Sequence, residues 1–237
     1  ETGTGLTIDV YIGDTIKNES DPALIVRKSY QLERSLASAG YEYAIGCVAN
    51  TLKLDVQTAS KITAELSFVS TDSTQTLVRA GGTFPTLVST DAFNTSSDFA
   101  RIKLALASTT DAAVVPLFAF ATELTLTVNN NVSPNKAIGT LGAFDTGTGT
   151  FEVGGSLTAY FADVAAVQAV RNNSDVTLDI AIAKGNRGIV FDIPLLSLGL
   201  PVRSKSVDPA HGVQWFRVGL IVCHQRNRLA VHCDLAR

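Results

Sequence analysis

Several residue types are scarce in this chain, and each scarcity excludes a class of protein. Its 237 residues include only three Cys, three His and one Trp. Three cysteines are an odd number and too few for the disulfide framework of a small secreted domain. No run of about 18 apolar residues occurs, so neither a membrane-spanning helix nor a membrane partner is expected.

The motifs of common catalytic sites are also missing. No His precedes His211, and the chain has no Gly-x-Ser-x-Gly elbow, no Gly-x-x-x-x-Gly-Lys loop and no His-Glu-x-x-His pair. We therefore predict that the protein is not an enzyme, with no catalytic, cofactor-binding or metal-binding residues and no cofactor.

One constellation could in principle hold zinc: Cys223 with His224, and His232 with Cys233. Zinc ligands are typically two to four residues apart, whereas adjacent side chains point in different directions on a strand or a helix. The spacing favours incidental residues in a divergent terminus over a metal site.

Charge is distributed unevenly along the chain. The formal net charge is −3, but residues 211–237 hold four Arg and a single acid, Asp234. Residues 1–210 therefore carry 15 Lys and Arg against 21 Asp and Glu, a net charge of −6. An acidic body argues against nucleic-acid binding driven by phosphate neutralisation.

The dominant pattern is alternation of apolar and polar residues in short runs rich in Thr, Val, Ile, Leu and Phe, which is typical of half-buried antiparallel strands. Nine runs are predicted to be strands: residues 6–12, 24–33, 47–56, 62–69, 102–107, 123–128, 151–161, 176–183 and 189–193. A turn sequence at residues 184–188 predicts that the last two form a hairpin.

One short helix is predicted from Asp163 to about Arg171, with Asp163 as its N-cap and Asn172 and Asn173 at its end. A helix this short must pack on a sheet to be stable. The expected fold class is mainly β, an antiparallel β-sandwich or barrel with one short flanking α-helix and long assembly loops.

Two polar stretches, residues 70–97 and 129–145, are predicted to contact neighbouring subunits. The first is long and has no clear periodicity, and such loops are usually functional. No repeat or linker divides the chain, so we expect one β domain at residues 1–210 and a divergent C-terminal segment at residues 211–237. Residue 1 is Glu rather than Met, so the N-terminus of that domain is expected to be processed or truncated.

Several blocks of sequence resemble the tail tube proteins of long-tailed phages. They are residues 123–136, 141–145, 151–161, 165–173 and 192–196, with looser similarity at residues 30–34 and 51–56. The resemblance covers most of residues 6–205 and fails after about Gly212, where the family is expected to close with another apolar strand. A frame change in the source gene or a divergent end would each explain that failure.

The resemblance implies a structural subunit of the virion tail, assembled in the host bacterial cytoplasm. Such subunits form rings, usually hexameric, that stack into a tube through which DNA passes without specific binding. Its partners would be further copies of itself and other tail proteins such as the tape measure and the tail terminator. The alternative left open is a monomeric or trimeric β-sandwich that binds carbohydrate, mediates adhesion or decorates the virion.

Overall fold

A computed structural model describes residues 13–17, 26–82, 86, 89, 91–107, 116–118, 120–160, 164–185, 187–199, 202–203, 215–222 and 230–234. Within these residues the protein is mostly antiparallel β-structure, with α1 at Val164–Arg171 and a 3-10 turn at Ala37–Ala39. The strands are β1 (Gly13–Lys17), β2 (Tyr30–Ser35), β3 (Tyr41–Gln57), β4 (Thr63–Val69), β5 (Asp72–Thr76), β6 (Phe99–Leu106), β7 (Ala121–Asn129), β8 (Ser133–Lys136), β9 (Ala143–Gly147), β10 (Glu152–Tyr160), β11 (Asp175–Lys184), β12 (Arg187–Leu198), β13 (Val202–Arg203), β14 (Trp215–Val222) and β15 (Ala230–Asp234).

The strands form a two-layered sandwich. Strands β4, β3, β7, β10 and β14 lie side by side in the first layer. Strands β6, β11, β12, β15 and β1 form the second layer. The layers are joined where β12 pairs with β14. The expected fold class, an antiparallel β-sandwich with one short helix, is confirmed.

The core lies between the two layers and follows directly from the alternating sequence. Every second residue of β11 and β7 is buried, namely Val176, Leu178, Ile180, Ile182, Leu124 and Leu126. These side chains belong to one apolar cluster that also includes residues of β3, β6, β10 and β12. Burying each of them stabilises the fold by about 1.5–3 kcal/mol.

Gly155 allows the central strands of the first layer to lie close together. It pairs with Leu126 on β7. A Cβ atom at Gly155 would lie 2.0 Å from the backbone oxygen of Thr125. Any side chain at this position would therefore push β10 away from β7.

The hairpin and helix predictions are confirmed. Lys184 pairs with Arg187 at the turn between β11 and β12. Helix α1 ends as expected, because Asn173 has a φ of 48° and the N–H of Ser174 bonds to the Ala169 carbonyl at 2.9 Å. This is the hydrogen bond of a Schellman C-cap. Ala169 is buried in the core, so the helix packs on the sandwich. The N-cap residue Asp163 lies outside the described residues.

Most strand predictions are confirmed, but one strand prediction and one loop prediction need correction. The run 6–12 lies outside the described residues. In the described part of the run 24–33 the strand begins at Tyr30, and Arg27 before it binds Asp145 and Thr146. The stretch 70–97 is not a loop throughout, since Asp72–Thr76 forms β5. Because all five β5 residues are exposed, its sequence shows no apolar alternation.

The end of the chain also differs from expectation. An apolar strand, β14, follows residue 212 and pairs with β10 and β12. His232 and Cys233 lie on β15, while Cys223 and His224 fall outside the described residues. Among the described residues no group of His, Cys, Asp and Glu is arranged to hold a metal ion. No helix in the described part of the chain is long and apolar enough to cross a membrane. The domain division at residue 210 stays a prediction.

Candidate assembly surface

Only about half of strand β3 lies in the sandwich. It has 17 residues, which span about 56 Å at ~3.3 Å per residue. Residues 51–57 pair with β7 inside the sandwich, whereas residues 41–47 pair with β2 and β5 outside it. We call this three-stranded part, formed by β2, β5 and residues 41–47 of β3, the blade. Every residue of β2 and β5 is exposed, and Tyr43 and Cys47 of β3 are buried. Within the described structure no second sheet packs on the blade, which is therefore a single layer.

Polar contacts, rather than an apolar core, stabilise the blade. The hydroxyl of Tyr43 donates to Glu33 Oε2 at 3.0 Å and accepts the N–H of Ala80 at 2.8 Å. Arg79 Nε donates to Glu33 Oε1 at 2.8 Å. The Arg79 hydrogen bond, opposed in part by desolvation and aided by Tyr43, holds the pKa of Glu33 below its ordinary value. Segment 79–80 is thereby attached to the blade.

A left-handed glycine marks the junction between blade and sandwich. Gly46 has a φ of 63°, and a Cβ atom there would lie 2.5 Å from Thr71 Oγ1. Thr71 donates its N–H to the Ile45 carbonyl at 3.0 Å and links β4 to β5. The edge of the sheet therefore changes from β4 to β5 at this point.

Strands β8 and β9 form a second projection beside the blade, which we call the β8–β9 hairpin. It leaves the sandwich between Asn129 and Glu152, which are paired at the same end of β7 and β10. The N–H of Ala143 donates to the Thr71 carbonyl at 2.8 Å, so the hairpin contacts the base of the blade. The blade and the hairpin therefore project from the same end of the molecule, and we call them together the projecting end.

Buried polar contacts fix the base of the hairpin. Thr146 is 1% exposed, and the guanidinium of Arg27 hydrogen bonds to its hydroxyl and its carbonyl. The same guanidinium lies 3.2 Å from Asp145 Oδ1. At the other side of the base, Asn50 Oδ1 accepts the N–H of Val132 at 2.8 Å. These contacts join residues far apart in sequence, and no local pattern indicated them.

The projecting end exposes most of the large apolar side chains found on the described surface. Of thirteen such exposed side chains, eight lie in the blade, the segment 77–78 that follows it, or the hairpin: Tyr30, Leu32, Ile45, Leu77, Val78, Ile138, Leu141 and Phe144. Ile138 and Leu141 are fully exposed and Phe144 is 65% exposed. These last three form what we call the hairpin tip. An apolar patch of this kind on a water-exposed surface is typical of a protein interface.

The outer side of the first layer is different in character, because it is polar along strands β3, β4, β7 and β10. Its residues share rows across the sheet, and those of β3, β7 and β10 lie on the face opposite to the core: Thr51, Lys53, Asp55 and Gln57 on β3; Thr63, Glu65 and Ser67 on β4; Glu123, Thr125, Thr127 and Asn129 on β7; and Glu152, Gly154, Ser156 and Thr158 on β10. We call this surface the hydroxyl face. It carries four acidic residues and one basic residue.

The one Lys of the hydroxyl face is neutralised by its neighbour. Lys53 Nζ lies 2.7 Å from Asp55 Oδ2, and Asp55 also accepts the hydroxyl of Thr125 at 2.9 Å. The Lys53 hydrogen bond lowers the pKa of Asp55, and the same bond raises the pKa of Lys53. Both groups stay charged at neutral pH, and the net charge of the face comes from its other carboxylates.

The chain matches a known protein family. A family model described as "Phage tail tube protein" matches residues 2–214. The match ends close to residue 212, where the sequence resemblance was expected to fail. No curated protein matches the chain.

Proposed function

The chain belongs to the phage tail tube protein family, and we propose that six copies close into a ring, that rings stack into the tail tube, and that the tube conducts viral DNA into the host. As a member of this family it is a structural protein of the virion tail.

The projecting end is the observation that carries the proposal. A single-layered sheet with exposed apolar residues on it is unusual in a monomer, because no second layer shields those residues from water. A neighbouring copy would supply that layer. Both stretches predicted as subunit contacts contribute to this end, residues 70–97 through β5 and residues 129–145 through the hairpin.

Sheet edges offer a means of closing the ring. Among the described strands none pairs along the outer edge of β5, and only an isolated bridge between Lys61 and Asn94 lies beside β4. Such edges form backbone hydrogen bonds with a strand from another chain. A contact between two different surfaces of the same protein generates rings and stacked filaments rather than closed dimers.

The hydroxyl face supports a conduit role. Short hydroxyl side chains leave a smooth wall, and the excess of carboxylates repels the phosphates of passing DNA. In the proposed tube this face lines the lumen. The tape measure would lie inside the same lumen, and the tail terminator would bind the last ring. Assembly would take place in the host cytoplasm.

Negative-stain electron microscopy of the purified chain at increasing concentration tests the proposal. We expect stacked rings or tubes from the unmodified chain. Val78, which is 79% exposed beside the blade, would be buried between copies. Val78→Glu should therefore raise the concentration needed for assembly at least tenfold, equivalent to about 1.4 kcal/mol.

Gln168→Glu is the matched control, because it adds the same charged residue to the exposed surface of α1 without removing apolar area. It should assemble like the unmodified chain. A chain that stays monomeric at every concentration, or a Val78→Glu variant that assembles normally, would contradict the proposal.

A further inference from the structure

A small apolar cavity opens at the end of the sandwich opposite the projecting end. Its volume is about 130 Å³. Its apolar walls are formed by Val56, Ile102, Ala121 and Leu124, and its polar side by Gln57, Thr58, Thr95, Thr122 and Glu123. A cavity of about 150 Å³ lined by apolar side chains can hold a benzene molecule. This cavity therefore has room for one aliphatic or aromatic side chain.

We propose that this cavity receives one apolar side chain from the hairpin tip of a second copy in the next ring, so that rings stack head to tail. The inference rests on the proposed function, and it adds which two surfaces meet between rings.

The strand register places the tip and the cavity at opposite ends of the molecule. The hairpin leaves the sandwich at the row of Thr51, Asn129 and Glu152. The cavity lies at the row of Gln57, Glu123 and Thr158, six residues further along, or about 20 Å. Because they lie at opposite ends, the tip of one copy cannot enter the cavity of the same copy. Between copies they form a contact that repeats without closing, as a filament requires.

The chemistry of the two surfaces is complementary. The tip presents three apolar side chains, and Phe120, which precedes the lining residue Ala121 in the chain, is 72% exposed. Lys136 is exposed two residues before Ile138, and Glu123 is exposed beside the cavity. Docking the tip would bring this cation and this carboxylate near each other.

The size of the contact accounts for assembly by rings rather than by single molecules. The one side chain for which the cavity has room buries at most about 150–250 Å², the value for an aromatic ring. Stable interfaces between two proteins bury about 1,200–2,000 Å². One tip in one cavity is therefore too small to hold two free subunits, but several in parallel between two rings reinforce each other through effective concentration.

Disulfide trapping in assembled tubes tests the inference. The full chain carrying Leu141→Cys and Thr122→Cys is assembled under reducing conditions, treated with a mild oxidant and separated by non-reducing electrophoresis. Each copy then has one thiol at the tip and one beside the cavity, so we expect a ladder of multimers longer than dimers. Each single variant should give no ladder, and the oxidised unmodified chain reports the background from its own cysteines.

Leu141→Cys with Glu152→Cys is the matched control, because Glu152 is exposed on the same sheet but at the projecting end. It should remain at background. If tubes form and the Thr122 pair gives no more ladder than the Glu152 pair, the inference is overturned while the proposed function stands. If the unmodified chain forms no tubes, the proposed function fails and the inference fails with it.

Discussion

Strand β3 passes through two regions that are stabilised in different ways. In the sandwich, its Leu54 and Val56 are buried in the core between two layers. In the blade, its Ile45 is exposed, and Tyr43 is held by hydrogen bonds to Glu33 and Ala80. In the sandwich, apolar side chains are buried against other residues of the same chain. At the projecting end they are exposed, and a second chain would be needed to bury them. Substitutions in the first region should therefore affect folding, and those in the second should affect assembly.

The largest expected effect on folding lies in the core. Leu124 is completely buried, so Leu124→Ala leaves a cavity and should lower the free energy of unfolding by about 2–5 kcal/mol. Leu77, which is 83% exposed at the projecting end, is the control. Leu77→Ala should change the free energy of unfolding by less than about 0.5 kcal/mol. Chemical denaturation followed by circular dichroism measures both. If Leu124→Ala and Leu77→Ala lower the free energy of unfolding equally, the proposed difference between the two regions is wrong.

A smaller effect is expected from Gly155→Ala. The added methyl group would overlap the Thr125 carbonyl, so β10 and β7 must separate, at a cost of about 1–3 kcal/mol. At Gly147, on the hairpin, the nearest atom to an added Cβ is 3.5 Å away, which is an ordinary contact. Gly147→Ala should therefore leave the denaturation midpoint nearly unchanged. A larger loss from Gly147→Ala than from Gly155→Ala would reverse the comparison.

The smallest effect concerns the polar attachment of the blade and depends on pH. Because the folded pKa of Glu33 is lowered, first by Arg79 and then by Tyr43, its stabilisation is present above the ordinary Glu pKa of about 4.3. It is lost as the pH falls through the lowered value. An NMR titration of the Glu33 carboxyl should show a midpoint below the ordinary one, and Arg79→Gln should raise it. Identical midpoints in both proteins would show that Arg79 does not hold Glu33.

The two regions also differ in how well the sequence predicts them. Strands β7, β10 and β11 were predicted from the alternation of apolar and polar residues, because one face of each is buried. Strands β5, β8 and β9 were missed because they are short and largely exposed on both faces. The contacts of Arg27 with the hairpin could not be predicted, because they join residues more than 100 positions apart. Of the assembly surface, the sequence indicated the two stretches but not their exposed apolar residues.

The sequence by itself determined the fold class, the β11–β12 hairpin, the end of helix α1 and membership of the family, because each depends on local periodicity, on turn residues or on the order of several sequence blocks. Only the tertiary structure decided the strand register, and with it which residues share the hydroxyl face, since a shift of one residue exchanges the two faces of a strand. It also decided that the hairpin tip and the cavity lie at opposite ends. Their placement at opposite ends results from pairing between strands that are distant in sequence, which no local sequence pattern encodes.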